Sequence, residues 1–288
     1  MSPFSGWVRR HRLVVFFGLA IAFAWCLWPF WALGLAPVPF LPGGPLAAAL
    51  LVISITEGRT GFRELGARMI RWRVGWRWWA VAVGTPLAVL AVATAANVSI
   101  WGAPAPVLAD MGWSGIALVF TSRFVDPMDG PLGEEPGWRG YALPHLQAAR
   151  SPWGAGMILT PLVAVWHLPL VAVGQLDAIG LAGTAGITLV YVWLFNHTGG
   201  SVLLTMVFHV MQGTISYAAL GFTGVDAVRM AWIASGLWCA LAAVLILLDR
   251  PAWQEAPPAA TANRDRAAPH TSPADSAARR PGPRSRQR

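Results

Sequence analysis

Apolar positions along this chain gather into long runs, not into the narrow stripes of a soluble amphipathic helix. The first run covers residues 13–35, and others cover 46–56, 78–97, 116–143, 156–173, 179–195, 201–220 and 228–248. A helix rises 1.5 Å per residue, so about 20 such residues cross the hydrocarbon layer of a bilayer. The runs therefore predict an all-α fold, a polytopic membrane helical bundle of about eight transmembrane segments. A secretory signal has an apolar region of only about 7 to 15 residues. Residues 13–35 are too long for one, and a retained first helix is expected.

Charge supports this reading and orients it. Hydrophobic residues make up 56% of the chain and charged ones 12%, about half the charge of an ordinary soluble domain. Every basic side chain is Arg, and the net charge of +8 sits in a few short loops and the C-terminal segment. That distribution orients helices and argues against a nucleic-acid partner. Arg9, Arg10 and Arg12 precede the first run, residues 34–42 carry no charge, and the next connection holds Arg59, Arg63, Arg68, Arg71, Arg73 and Arg77. The alternation continues through a loop with only Asp110, a loop with Arg150 and an Arg-free loop at Asp177. Arg229 interrupts it, and Arg250 opens an Arg-rich segment. Cytoplasmic loops are the Arg-rich ones, so an N-in, C-in multi-pass protein of the cell membrane is expected.

Residues 62–79 mix arginines with Trp72, Trp76, Trp78 and Trp79, the pattern of a helix lying at the membrane surface. From residue 251 the chain is rich in Pro, Ala, Ser and Arg, with little apolar bulk to offset the entropy of ordering. Three regions follow: N-terminal membrane helices with the basic interfacial helix (1–112), a membrane domain carrying the candidate chemistry (113–250) and a disordered cytoplasmic tail (251–288). Cys26 and Cys239 lie inside apolar runs, so neither a disulfide framework nor a Cys-based metal site is expected.

An ionisable group near the middle of a membrane helix costs about 2.5 to 3.5 kcal/mol on insertion scales, which makes it a functional candidate by default. Glu134, Glu135 and Arg139 fall in one apolar segment, His167 in a second and His209 in a third. Residues four apart share a helix face, so Glu135 and Arg139 can pair, while Glu134 points about 100° away and is left for proton chemistry. Pro131, Gly133, Pro136 and Gly137 make the same stretch turn-prone, and the alternative is a charge pair at a helix end on the membrane surface. His145 and His197 fall in predicted loops and are expected to face headgroups.

These residues resemble a known pattern. Glu-Glu-x-x-x-Arg, then Phe-x-x-x-His, then His-x-x-x-Asn on successive helices marks the CPBP family of intramembrane proteases, the type II CAAX prenyl endopeptidase and ABI group that includes lysostaphin-resistance-protein-A-like members. Glu134, Glu135 and Arg139 match the first motif completely, and Arg139-Gly140-Tyr141 and Thr198-Gly199-Gly200-Ser201 are also similar. Two positions depart from it. Val163 stands where the second motif has an aromatic residue, and Gly213 where the third has Asn. Gln212 is adjacent but faces another way on a regular helix.

The resemblance implies an endopeptidase without a cofactor, acting on a membrane-associated or lipidated peptide or protein. In it Glu134 and His167 would activate water, His209 would stabilise the oxyanion, and Glu135 and Arg139 would support them. It also implies that a donor is missing at Gly213, one that Gly213→Asn would restore. Zinc is the alternative chemistry, because two histidines and a glutamate are a known catalytic ligand set; the usual His-Glu-x-x-His helix is absent. A non-catalytic immunity or scaffold protein and a membrane transporter are the alternative functions.

Overall fold

The computed structural model describes residues 3–107 and 112–254, and every regular element among them is helical. In chain order these are α1 (Pro3–Arg10), α2 (Arg12–Trp25), α3 (Trp28–Ala32), α4 (Gly44–Thr56), α5 (Arg59–Met69), α6 (Trp76–Trp101), α7 (Gly112–Val125) and α8 (Pro131–Glu135). A π-helical stretch, Pro136–Ala142, joins α8 to α9 (Leu143–Gln147). There follow α10 (Pro152–Trp166), α11 (Leu168–Ala172), α12 (Ala178–His197), α13 (Val202–Thr214), a 3-10 turn at Ala218–Leu220, α14 (Gly224–Leu248) and α15 (Arg250–Gln254).

Four stretches are helical, long and apolar enough to cross a bilayer: Arg12–Ala32, Trp76–Trp101, Ala178–His197 and Gly224–Leu248. The shorter apolar helices α4, α10 and α13 fill further segments of the pattern. Much of their packing relies on small residues, which let backbones approach where lipid offers no hydrophobic driving force between helices. Along the contact of α12 with α14, a Cβ on Gly186 would stand 2.8 Å from the Cys239 backbone nitrogen. On α4, a Cβ on Gly44 would lie 2.6 Å from the Ala20 carbonyl oxygen of α2. Helix α13 lies inside the bundle, against α6, α7, α8 and α12, with Leu204, Thr205, Phe208 and Val210 fully buried. Polar caps set its start and that of its neighbours. Ser201 Oγ accepts from the Leu204 amide at 3.2 Å, Ser151 Oγ from Gly154 at 3.2 Å and Asp177 Oδ1 from Gly180 at 2.7 Å.

Several segments differ from the sequence pattern. Residues 116–143 are not one helix: α7 ends at Val125, residues 126–130 turn, and a second helical run starts at Pro131. Asp126 Oδ1 accepts from the Met128 amide at 2.8 Å, and Gly130 takes a positive φ of 51° that other residues rarely adopt. Residues 156–173 break at His167, between α10 and α11. The basic interfacial helix stops at Met69; the exposed Trp72 lies in the irregular link that follows, and the exposed Trp76 opens α6. Residues 251–254, read from sequence with the tail, are part of α15. Trp253 there is buried, its Nε1 donating to the Leu245 carbonyl at 3.2 Å. The rest of that predicted tail lies outside the described residues. Cys26 and Cys239 are free thiols.

Candidate active site

Helix α8, the π-helical stretch and α9 form one continuous helical run that carries the two glutamates and Arg139. Pro136 has no amide proton and cannot continue the ladder, so the backbone widens into π geometry, a feature common at functional sites. Arg68 of α5 donates from Nη1 to the Gly140 carbonyl at 3.1 Å, which satisfies an oxygen of the widened stretch. Glycine on this run serves close packing. A Cβ on Gly133 would come within 2.3 Å of the Pro127 carbonyl oxygen, and one on Gly137 within 2.5 Å of the Pro45 carbonyl group. The run is thus pressed against the start of α4, with Glu134, Glu135 and Arg139 all buried.

Glu135 is the hub. Its Oε1 accepts from Arg139 Nη1 at 3.0 Å, the pairing expected at this spacing, and lies 3.0 Å from His209 Nδ1. A carboxylate only accepts, so His209 carries its proton on Nδ1 and turns Nε2 to the far side. The Arg139 guanidinium carbon lies 4.0 Å from the Tyr191 ring centroid, and the Tyr191 ring centroid is 5.7 Å from that of His209. Tyr191 also donates its hydroxyl to Gln212 Oε1 at 3.2 Å, which engages the residue next to Gly213.

On the far side of His209 lies Glu134. A Cβ placed on Gly130 would be 3.2 Å from Glu134 Oε1 and 3.4 Å from His209 Nε2. A carboxylate oxygen and an imidazole nitrogen thus both border the place that a methyl group at position 130 would take, and a glycine leaves it open. His167 completes the group. It interacts electrostatically with Glu134 and His209, and its Nδ1 donates to the Val163 carbonyl at 2.8 Å, leaving Nε2 free to accept a proton. The contact comes from the Val163 backbone, so the aromatic side chain of the family motif is not needed to orient the ring. Phe40 and Trp166 flank that ring, with centroids at 6.5 and 4.8 Å.

All five side chains singled out in the sequence converge. Two other histidines behave differently from the sequence reading. His145 is on α9, its Nε2 2.9 Å from Glu57 Oε1 and its Nδ1 2.7 Å from the Tyr141 carbonyl oxygen. His197 ends α12, with Nε2 3.0 Å from Asp249 Oδ2. Both sit on helices, not in loops, and tie helix ends together. Among the described residues, no three His, Cys, Asp or Glu side chains are grouped as ligands for one ion.

Sequence reasoning missed Arg123, at the end of α7. Its Nη1 pairs with Asp129 Oδ1 at 2.9 Å, and its guanidinium lies against Gly213. Only the odd glycine at position 213 hinted at a neighbour there.

No curated protein matches the chain. A family model does match about one-third of it, and that third includes α8, α10, α12 and α13. Residues 122–215, which hold every candidate side chain and both departures from the motif, match the Rce1-like type II CAAX prenyl endopeptidase family, to which the sequence motifs are also similar.

Proposed function

We propose that the chain is an intramembrane endopeptidase in which Glu134 is the general base, acting with His167, and His209 is the oxyanion donor. The observation that carries the reading is the methyl-sized space at Gly130, bordered by Glu134 Oε1 and His209 Nε2. Water beside Glu134 gives a proton to the carboxylate while its oxygen attacks the peptide carbonyl carbon. The carbonyl π pair moves onto oxygen, where His209 donates from Nε2. Collapse of the tetrahedral intermediate breaks the C–N bond, and the proton held by Glu134 passes to the departing amine.

Glu135 has a defined part in this scheme. Because Nδ1 of His209 is tied to Glu135, Nε2 donates to the oxyanion only when the ring carries a proton on both nitrogens. Arg139 pairs with Glu135 at 3.0 Å and compensates its buried charge. The family match suggests a prenylated C-terminal peptide as substrate class, presented from the bilayer.

The test uses a fluorogenic peptide with a farnesylated cysteine, in liposomes. Wild-type turnover is expected, with loss of at least about a thousandfold for Glu134→Gln and about a hundredfold or more for His167→Ala. Chelation by EDTA is expected to leave the rate unchanged. Glu134→Gln at the wild-type rate would refute the reading. Loss of activity together with one tightly held zinc, and recovery of both on re-addition, would establish metal chemistry instead.

A further inference from the structure

We propose that Arg123 is a further catalytic residue, donating from its guanidinium to the carbonyl oxygen of the scissile bond beside His209. The inference rests on the proposed endopeptidase reading. Gly213 stands four residues after His209 on α13 and so shares its helix face. A Cβ at Gly213 would lie 2.6 Å from Arg123 Nη2 and 2.7 Å from Cζ, so the guanidinium fills the place where any other side chain would begin. It therefore lies against the His209-bearing face of α13, about one helical turn from that ring.

Two further observations, and the chemistry of a guanidinium, point to a donor with unused capacity. Arg123 commits Nη1 to Asp129, whereas its Nε is buried without a hydrogen-bond partner. A buried donor left unpaired costs about 1–3 kcal/mol, a cost that an arriving carbonyl oxygen would relieve. The Asp129 to which it is tied immediately precedes Gly130, the residue beside Glu134 and His209. A guanidinium is also permanently charged, and its hydrogen bond to a developing oxyanion is about twice as strong as that of a neutral donor. Gly213 is then the feature that admits the donor, not the loss of one.

A double-mutant cycle with the farnesylated peptide in liposomes tests this. Arg123→Gln is expected to lower kcat about a hundredfold with KM within about twofold, as for removal of one oxyanion donor. Gly213→Ala, which pushes the guanidinium aside, is expected to lower kcat by about tenfold or more in the wild type and to have no effect in the Arg123→Gln background. Asp129→Asn leaves the guanidinium in place and is expected to cost less than tenfold. Should Arg123→Gln fail to fold, Arg123→Lys takes its place in the cycle.

A rise in KM at constant kcat would overturn the proposal in favour of a substrate anchor. An Asp129→Asn loss equal to that of Arg123→Gln would overturn it in favour of a loop tether, as would independent effects at 123 and 213. Glu134→Gln run alongside separates the two levels. If it is inactive while Arg123→Gln keeps the wild-type kcat, only the role of Arg123 fails; if it is active, or the wild type is inert, the endopeptidase reading fails as well.

Discussion

Glu135 joins two elements through one oxygen, and that makes it the most sensitive residue of the site outside the proton-transfer group. Removing one partner of a buried ion pair costs about 3–5 kcal/mol, since the other charge is left without compensation. Glu135→Gln is therefore expected to lower both stability, by roughly 3 kcal/mol in a detergent denaturation series, and kcat. Glu134→Gln is expected to lower only kcat. The Glu135–Arg139 pair could be read from its four-residue spacing. The His209–Glu135 contact could not, because it joins positions that only the packing of α13 on α8 brings together. For the same reason Gly213 looked like an absence in the sequence. The structure fills that place with Arg123, so Gly213→Asn is expected to slow the enzyme by displacing the guanidinium, opposite to the gain the motif alone implies.

A second residue-scale prediction concerns Glu57, at the end of α4 and outside the spans. Burial pushes its carboxyl up, but the hydrogen bond and charge of His145 and the charges of Arg12 and Arg68 outweigh this and hold it below its ordinary value of 4.5. A depressed carboxyl stabilises the fold at pH above the ordinary value and loses that contribution as pH falls through the folded value. Stability is thus expected to drop on acidification below about pH 4.5, and Glu57→Gln should be less stable at neutral pH with a flatter acid limb. Equal acid limbs for the two proteins in a thermal-shift series would contradict this.

At the scale of elements, the run from Pro131 to Gln147 shows where sequence reading was ambiguous. Proline and glycine at 131, 133, 136 and 137 signal a turn when judged locally. Here Pro131 and Pro136 open helical segments, while Gly133 and Gly137 allow backbone contact with the 42–45 segment. The same residue type serves both purposes, and only the neighbour decides which. Gly137→Ala would drive a methyl group into the Pro45 backbone, which has no flexible end to move. It is expected to destabilise the protein by about 1–3 kcal/mol and to shift Glu134 enough to reduce kcat. A stable and fully active Gly137→Ala protein would show that the run is not held as described.

Across the whole molecule, apolar run length was the clearest signal, because a bilayer demands it whatever the tertiary packing. The all-helical fold and the four long helices were therefore legible. Short apolar helices such as α4, α10 and α13 were less so, since a run of 13–15 residues suits a buried helix as well as a span. Arginine alternation still predicts the orientation. Reporter fusions at Gly34, Ala67 and Asp177 are expected outside, inside and outside, and an external signal at Ala67 would contradict the N-in arrangement. Truncation after Gln254 is expected to keep stability, because Trp253 remains packed at 6.1 Å centroid distance from Trp153. Truncation after Asp249 removes that contact and is expected to lower the melting temperature.

Glu134 is proposed to act on water and not itself to attack the peptide, and single-turnover cleavage in heavy-oxygen water, with a parallel reaction containing hydroxylamine to trap any acyl-enzyme as the hydroxamate, separates the two. With enzyme in excess over the farnesylated peptide, direct attack by water puts one heavy oxygen into the new C-terminal carboxylate and none into Glu134. That labelled product, with no hydroxamate formed in the trapped reaction, is expected. Hydroxamate in the trapped reaction, or unlabelled product with the heavy isotope found on Glu134, would instead show an acyl-enzyme formed by the carboxylate, and would contradict the general-base assignment.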